Sequence, residues 1–499
     1  MEEEKYLFRR QYIIAPRKIQ IGPSWNHLKA GENIHISAHP DIELTRADRG
    51  EKILFLIGFI FNHQKTAETN QEILEGILEK AEDLNSLFDL FDSKSGRFVV
   101  IARFGKEYIL FNDASGFRNI YYYRDVSGNY WYASQPGLIA ERCNVELDYD
   151  NQEDLNTLPL FRNTSEYWFP GTLSAYRGIF NLVPNHYMDM QTGRTRRFWP
   201  RRQVKKYELK ECIDTVVPML QSHIEASVHR FHTAFTITAG LDTRILLAAS
   251  RKYTEDLTFL THTHPALLPQ NPDIVIPRKI LRDNNIPHTI VHHREKIDEC
   301  FKSISRRNVI YARESKVMNA FTFNQYFLEE KQEPLVLNGV CSELTRTFYR
   351  LPVYAKLTDK LLCALAGMSG SSVARTQFRQ WLDGVGAYSS YGVRVLDLFY
   401  WENRNAKWPG YNEYDIAFDS YSPFNCRKLV EIMLGVDLKF RIPPHFHLHR
   451  ELIKAMWPEL LEYPINPPQS FREMAANKLR GTKLFETARF LKIMLRMRS

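Results

Sequence analysis

The feature that most limits the fold of this 499-residue chain is a tight turn between an apolar strand pattern and a helical pattern. Residues 234–238 read Ala-Phe-Thr-Ile-Thr, the turn covers 238–244, and a helical pattern runs from Ile245 to Arg251. A second strand pattern, Leu257-Thr-Phe-Leu-Thr, follows. A strand, a helix and a second strand in this order predict a βαβ unit in a parallel sheet.

The turn itself, Thr238-Ala239-Gly240-Leu241-Asp242-Thr243-Arg244, has the composition of an anion-binding site. Small residues at a helix N-terminus let an anion approach unpaired backbone N–H groups, and the hydroxyls of Thr238 and Thr243 add hydrogen bonds. Asp242 repels phosphate unless a cation lies between them, so its predicted role is to hold Mg²⁺. The same turn also suits an ordinary helix N-cap, and the residues alone leave both interpretations open.

The first part of the chain has a different pattern, in which short β-branched and aromatic segments alternate with turns. We predict a helix over 70–83 and strands at 53–57, 98–102, 108–111, 121–123 and 130–132. The first of these strands is predicted to open the domain, and the residues before Ile53 to form an added strand and cap. Alternating strands and helices begin after Arg201, so we expect domains at 1–200 and 201–499, the second with a helical C-terminal part.

Composition and charge exclude several classes of protein. Basic and acidic residues are interspersed within a net charge of +8, and aromatic residues do not interleave with basic runs, which argues against nucleic-acid binding. The longest apolar run, 53–61, is too short to span a bilayer, and Met1-Glu2-Glu3-Glu4 is acidic where a signal peptide is basic. The six cysteines are scattered. We expect a cytoplasmic protein with reduced thiols and no transmembrane segment.

The turn and four other segments of the chain resemble segments of a known family. The turn is similar to the S-G-G-x-D-S pyrophosphate loop of the ATP pyrophosphatase superfamily, in the G-L-D-[ST]-R form of the asparagine synthetase family. Residues 112–122 resemble the R-D-x-x-G-x-[RK]-P-L-Y-Y stretch of class II glutamine amidotransferase domains, and 171–186 the passage that ends such a domain. Residues 335–344 resemble a shortened G-x-G-[AS]-D-E-L segment, and 422–425 the R-x-P-F-L-D passage. These segments occur in the family's order.

The resemblance implies an α/β and α+β protein, with an N-terminal Ntn-hydrolase-like αββα sandwich and a C-terminal adenine-nucleotide α-hydrolase-like domain. It implies a ligase that uses ATP and Mg²⁺ to turn a carboxylate into an acyl-adenylate, from which an amine or ammonia displaces AMP. The implied carboxylate and amine substrates are small molecules, peptides or glycans, and asparagine synthesis is one such reaction. A homodimer stays open, and so does a nucleotide-binding pseudoenzyme that acts as a scaffold.

The resemblance also assigns residues to the site. Glu343 falls on the family's glutamate; with Asp242 it is an implied catalytic residue, and both are candidate Mg²⁺ ligands. Thr261 lies in the strand that cradles adenine through backbone groups, and Gly339 in the loop that closes over ATP. The whole turn 238–244 is the implied ATP and pyrophosphate site, and Asp273 follows the adenine strand.

The sequence departs from the family pattern within this site. Ala239 stands for the first loop glycine, and Ser342 for an aspartate that can hold Mg²⁺. The family lysine expected after residues 460–461 is not evident, since Tyr463-Pro-Ile-Asn-Pro-Pro stands there. Its charge would have to come from Arg450, Lys454 or Lys478.

The front of the chain departs as well. Class II amidotransferase domains use an N-terminal cysteine whose own amino group acts as the base. Here the first cysteine is Cys143. We therefore expect no glutaminase activity, and an N-terminal domain that is a structural remnant or a docking surface.

The stretch from Lys483 to Ser499 is amphipathic. Leu484, Ala488, Leu491 and Leu495 share one face, and basic residues surround them. This stretch is either a closing helix of the second domain or a helix that lies on an anionic membrane or partner.

Overall fold

The computed structural model describes residues 2–163, 166–264, 268–352, 355–468, 474, 479 and 482–497. Within these ranges the strands form two six-stranded sheets and one five-stranded sheet. The strands are β1 (Tyr12–Ala15), β2 (Asn26–Gly31), β3 (Ile34–Ala38), β4 (Leu44–Arg49), β5 (Lys52–Asn62), β6 (Lys94–Phe104), β7 (Glu107–Asn112), β8 (Tyr121–Arg124), β9 (Tyr130–Ala133), β10 (Phe180–Asn181), β11 (His186–Asp189), β12 (Thr195–Arg197), β13 (Thr233–Thr236), β14 (Leu257–His262), β15 (His288–Val291), β16 (Leu335–Leu337) and β17 (Asp419–Tyr421).

Helices cover the outer faces of the sheets and most of the chain after β16. They are α1 (Glu2–Tyr6), α2 (Asn70–Lys80), α3 (Leu84–Asp92), α4 (Pro136–Cys143), α5 (Tyr149–Asn156), α6 (Pro159–Asn163), α7 (Leu209–Arg230), α8 (Leu241–Ala249), α9 (Pro272–Asp283), α10 (Glu299–Asn308), α11 (Glu314–Glu329), α12 (Asp359–Ala366), α13 (Ser372–Val385), α14 (Val395–Phe399), α15 (Tyr411–Tyr414), α16 (Arg427–Leu434), α17 (His447–Met456) and α18 (Lys483–Arg496). None of the helices in the described ranges is both long enough and apolar enough to cross a membrane.

Two antiparallel sheets pack face to face in the N-terminal half. Their strand orders are β10-β8-β9-β1-β3-β2 and β12-β11-β7-β6-β5-β4. Phe55 and Ile57 of β5 share a buried cluster with Ile14 of β1, so this cluster lies between the sheets. Leu56 points the other way, into the cluster that α2 and α3 complete, and Ile13 packs with α4. The helix–sheet–sheet–helix order confirms the expected αββα sandwich.

The sandwich opens at Tyr12, so the prediction that it opens at Ile53 is wrong. β1 to β4 all precede Ile53; β1 pairs with β3 and β9, and β4 pairs with β5. β1 has four residues and is buried along its whole length, so it lacks the alternation that marks a half-exposed strand. The five strands predicted from 53 to 132 are present as β5 to β9.

The second half is built on a parallel sheet with the order β15-β14-β13-β16-β17. All four neighbouring pairs run parallel, which confirms the predicted βαβ unit. The chain proceeds from β13 through β14 to β15 on one side, then returns to β16 on the other. Strand order therefore reverses between β13 and β16, and the carboxyl ends of these two strands border a crevice of the kind in which open α/β sheets bind ligands.

Buried ion pairs join the sandwich to the parallel-sheet half. Arg97 of β6 contacts Asp415 and Asp419, with Nη2 at 2.8 Å from Asp415 and Nη1 at 2.7 Å from Asp419. Arg118 Nη2 lies 2.8 Å from the second oxygen of Asp419. Both arginine side chains are only 1% exposed, so each half supplies charges that the other half neutralises. The boundary near residue 200 remains a prediction.

A short N-terminal hook, residues 6–11, fastens the two halves a second time. The Phe8 backbone N–H donates to Asn308 Oδ1 at 2.6 Å, and Arg9 Nη2 lies 2.6 Å from Glu333. Arg10 Nη1 donates to the Asp415 carbonyl at 2.6 Å. The residues before β1 are therefore part of the interface between the halves.

Candidate functional site

The candidate site lies where the loops after β13 and β16 meet. The first loop leads into α8, and the second leads into a short 3-10 helix, Ser342–Arg346. A Cβ atom built on Gly339 would lie 2.8 Å from the Cβ of Asp242, closer than real side chains pack. Only glycine allows the two loops to touch in this way. The structure thus brings together Asp242 and Gly339, which are far apart in the sequence.

The threonine hydroxyls brace the first loop. The Thr243 hydroxyl donates to the Thr238 carbonyl at 3.1 Å and accepts from the Thr238 N–H at 3.3 Å. The Gly240 N–H donates to the Thr238 hydroxyl at 3.1 Å. The Ala239 N–H donates to Asp273 Oδ1 at 2.9 Å, so Asp273 also reaches this loop. These bonds fix the backbone before α8 begins.

The N-terminus of α8 points its free donors into the crevice. Gly240 is the N-cap and provides no side-chain cap. Among the described residues, none accepts a hydrogen bond from the N–H groups of Leu241, Asp242 or Thr243. Unpaired N–H groups and the positive end of the helix dipole together favour an anion at this point.

Asp242 lies in the first turn of α8 and is held by the second loop. The Ser342 hydroxyl donates to Oδ1. Arg346 Nη2 lies 2.6 Å from Oδ2, and the Arg346 guanidinium also lies 5.6 Å from the centre of the Phe446 ring. Burial lowers the pKa of Arg346, but the charges of Asp242 and Glu343 raise it more. A permanent cation is therefore fixed beside the anion site.

Glu343 is the second carboxylate of the site. Its Oε2 atom is buried and has no hydrogen-bond partner among the described residues. Burial and the neighbouring charge of Asp242 raise the pKa of Glu343 to about 7, against the opposing charges of Arg346 and Arg404. A carboxylate with such a pKa can take up or release a proton near neutral pH.

Two residues assigned to the nucleotide have side chains engaged elsewhere. The Arg244 guanidinium is fully buried and donates to the carbonyls of Leu460, Tyr463 and Pro464 at 2.7, 3.3 and 3.1 Å. It anchors the segment that crosses the first loop and does not point at the anion site. The Thr261 hydroxyl donates to the Ile237 carbonyl at 2.8 Å, inside the sheet. Neither side chain points into the crevice, and the backbone contact with adenine that the resemblance implies for the strand of Thr261 stays a prediction.

Neither Arg450 nor Lys454, two of the three substitutes considered for the missing lysine, has a contact with the candidate site among the described residues. Arg450 is exposed, and Lys454 is exposed and lies 3.8 Å from Glu451. Lys478 lies outside the described residues. The cation that pairs with Asp242 is Arg346, which the sequence motifs do not reveal. One feature of the sequence could have identified Arg346: it lies three residues after Glu343, on the same short helix.

Comparisons with known proteins do not extend this description. No family model matches the chain, and no curated protein matches it. Among solved structures, the U34-tRNA thiolase NcsA from Methanococcus maripaludis with its [4Fe-4S] cluster is 12% identical at a TM-score of 0.25, over 57% of this chain and 80% of that one. The glutamine-dependent NAD+ synthetase from Acinetobacter baumannii in complex with ADP is 13% identical at a TM-score of 0.21, over 41% and 44%.

A third solved structure, the glutamine phosphoribosylpyrophosphate amidotransferase from B. subtilis complexed with ADP and GMP, is 10% identical at a TM-score of 0.24. The match covers 70% of this chain and 73% of that one. At TM-scores this low the likenesses carry no argument. The interpretation of the crevice therefore depends on its own residues.

Proposed function

We propose that the protein is an ATP-dependent ligase that forms amide bonds. A substrate carboxylate attacks the α-phosphate of ATP, so that pyrophosphate leaves and an acyl-adenylate remains. An amine or ammonia then attacks the acyl carbon and AMP leaves. One observation carries the proposal. At the point where strand order reverses, the structure brings together a helix N-terminus suited to an anion, a fixed arginine, and a carboxylate whose pKa is raised to about 7.

The charges in the crevice support this chemistry. Pyrophosphate is a strong anion, and the N–H groups at the start of α8 offer it a preorganised site. Arg346 adds a guanidinium that suits phosphate geometry. Catalysis of this type requires mainly that reactants are positioned and that negative charge is neutralised.

The carboxylate Glu343 suits the second step. A protonated amine cannot attack an acyl carbon, and the attacking nitrogen must lose a proton as the amide forms. With a pKa raised to about 7, Glu343 can accept that proton near neutral pH. In this proposal Glu343 is the base, and Asp242 and Arg346 hold the phosphate side of the site.

The residues also fit the Mg²⁺ ion that the resemblance implies. Mg²⁺ in nucleotide sites is bound by one or two carboxylates together with phosphate oxygens. Asp242 supplies one carboxylate on the phosphate side of the site, where Arg346 holds it in place. The ion would be held by Asp242 and would neutralise charge on the phosphates, while Glu343 keeps the role of the base.

The test measures binding and the first step separately. Calorimetry with ATP and Mg²⁺ measures binding, and exchange of labelled pyrophosphate into ATP, with panels of carboxylates, measures adenylation. We expect ATP to bind and at least one carboxylate to start exchange, with no exchange when the carboxylate is omitted. Absence of ATP binding would remove the basis of the proposal.

A second candidate is a nucleotide-binding pseudoenzyme that acts as a scaffold. It is favoured by two contacts: Arg346 already pairs with Asp242, and Asp273 already occupies the Ala239 N–H. Both contacts use groups that a pyrophosphate loop would otherwise leave free. ATP binding without exchange for any carboxylate would favour this candidate.

The nitrogen donor is expected to be an amine. Free ammonia is mostly protonated near neutral pH, whereas a bound amine gains the advantage of proximity. The measurement is AMP formation with ATP and candidate carboxylates, in the presence of either ammonium or candidate amines. Efficient formation of asparagine from aspartate and ammonium would instead make the protein an ammonia-dependent asparagine synthetase.

Glutamine is not expected to be hydrolysed. Residues 1–142 contain no cysteine, and burial raises the pKa of the Cys143 thiol to about 11, which keeps it protonated. Glutamate release from glutamine should equal that of a Cys143→Ala variant. Release well above this level would show a glutaminase site that the sequence does not reveal.

A further inference from the structure

The C-terminal helix α18 has two apolar faces, and only one of them is packed. Ile493 is 7% exposed and packs with Leu361 and Ala364 of α12; Phe490 and Met497 join the same cluster. Arg350 Nη1 lies 3.3 Å from Glu486 and fixes this orientation. The packed face therefore anchors α18 to the rest of the protein.

The opposite face is apolar and exposed. Leu491 is 58% exposed, Leu495 is 66% exposed and Met494 is 37% exposed. Leu491 and Leu495 are one helical turn apart, and Ala488, also exposed, precedes them on the same stripe. This is the stripe that marks the helix as amphipathic in the sequence, and α12 does not cover it.

The part of the sequence that contains this stripe is strongly basic. Residues 469–499 contain eight lysines and arginines against two glutamates, a net charge of +6 in a chain whose total is +8. Glu486 is already paired with Arg350 and lies 3.7 Å from Arg489. Lys492 is exposed beside the apolar stripe. A partner for this face must therefore be both apolar and anionic.

We infer that the exposed face of α18 binds the surface of an anionic lipid bilayer. An apolar stripe flanked by lysine and arginine is the arrangement with which helices lie in the headgroup region, where acyl chains take the apolar side chains and acidic headgroups take the basic ones. A second copy of the chain is disfavoured because two strongly basic faces repel each other. A nucleic-acid strand matches the charge but not the aliphatic side chains, because such sites stack bases on aromatic rings.

The test is sedimentation of the full-length protein with vesicles. We expect binding to phosphatidylcholine vesicles that contain phosphatidylserine, at least about tenfold weaker binding to phosphatidylcholine alone, and weakening with added salt. The variant Leu491→Glu/Leu495→Glu should lose about tenfold or more of this binding, because it replaces the stripe without touching the packed face. The matched control, Val126→Glu/Leu328→Glu, changes two side chains that are 102% and 47% exposed outside α18, and should bind as the wild type does.

Two results would overturn the inference. One is equal sedimentation of the wild type and the Leu491→Glu/Leu495→Glu variant, with circular dichroism showing both folded. The other is the absence of binding to the vesicles that contain phosphatidylserine. In that case, salt-sensitive binding to a single-stranded oligonucleotide would assign the basic charge to nucleic acid.

Discussion

Asp242→Asn should reduce carboxylate-dependent exchange between ATP and pyrophosphate by at least about 100-fold. The amide keeps the shape of the side chain but removes the negative charge that a cation at the phosphates needs. It also leaves the Arg346 guanidinium without its carboxylate, and Arg346 is only 17% exposed. The variant should therefore also lose about 3 kcal/mol of unfolding free energy, as when one partner of a buried pair is removed.

Two control variants separate the two effects. Ser342→Ala removes only the hydroxyl that donates to Asp242 Oδ1, and should reduce exchange by less than about tenfold. Asp242→Asn/Arg346→Met removes both charges, so it should regain stability in denaturant unfolding but not exchange. Exchange that survives Asp242→Asn would remove this loop from the mechanism.

Glu343→Gln should make the protein more stable and less active. The pKa of Glu343 is raised from 4.5 to about 7, so folding favours its protonated form. Wild-type stability from this group is present below about pH 4.5 and is lost as pH rises through about 7. The glutamine side chain does not titrate, so the variant does not lose this stability. Its free energy of unfolding relative to the wild type should therefore grow by about 3 kcal/mol between about pH 4.5 and pH 7, at 1.4 kcal/mol per pH unit.

The measurements are unfolding free energies at about pH 5 and pH 8, together with AMP formation. At the higher pH we expect Glu343→Gln to unfold at higher denaturant, while amide formation falls at least about 100-fold. The exposed Glu79→Gln change is the control and should alter neither quantity. A Glu343→Gln protein that is less stable than the wild type at pH 8 would contradict the raised pKa that follows from the burial of this carboxylate beside Asp242. Wild-type activity should also fall as pH drops below about 7.

Sequence patterns predict the parts of this fold that depend on neighbouring residues. The strand, turn and helix around 234–249 follow from hydrophobic spacing and small residues, and the structure contains them, although α8 begins at Leu241 and not at Ile245. Residues 53–132 contain segments rich in β-branched and aromatic residues, which are enough to predict β5 to β9. β1 is missed because it has only four residues, and its partners, β3 and β9, lie at different distances along the chain.

The residues of the candidate site also differ in whether a local sequence pattern predicts them. Asp242, Gly339 and Glu343 are identified because each belongs to a local motif. The pairing of Arg346 with Asp242 joins residues 104 positions apart, and no local pattern encodes it. Arg244 belongs to the same loop motif, but its guanidinium donates to three distant carbonyls, and no local pattern encodes those contacts either.

The ion pairs between the two halves limit which mutations the protein tolerates. Asp415 and Asp419 belong to the parallel-sheet half, which contains the crevice. The arginines that neutralise them, Arg97 and Arg118, belong to the N-terminal half. A change of Arg97 or Arg118 to an uncharged residue would leave a buried carboxylate without its partner, at a cost of about 3–5 kcal/mol for each broken pair. The loss is a large fraction of the whole stability of an ordinary domain. The stability of the half that contains the crevice therefore depends on two arginines of the other half, with or without a reaction there.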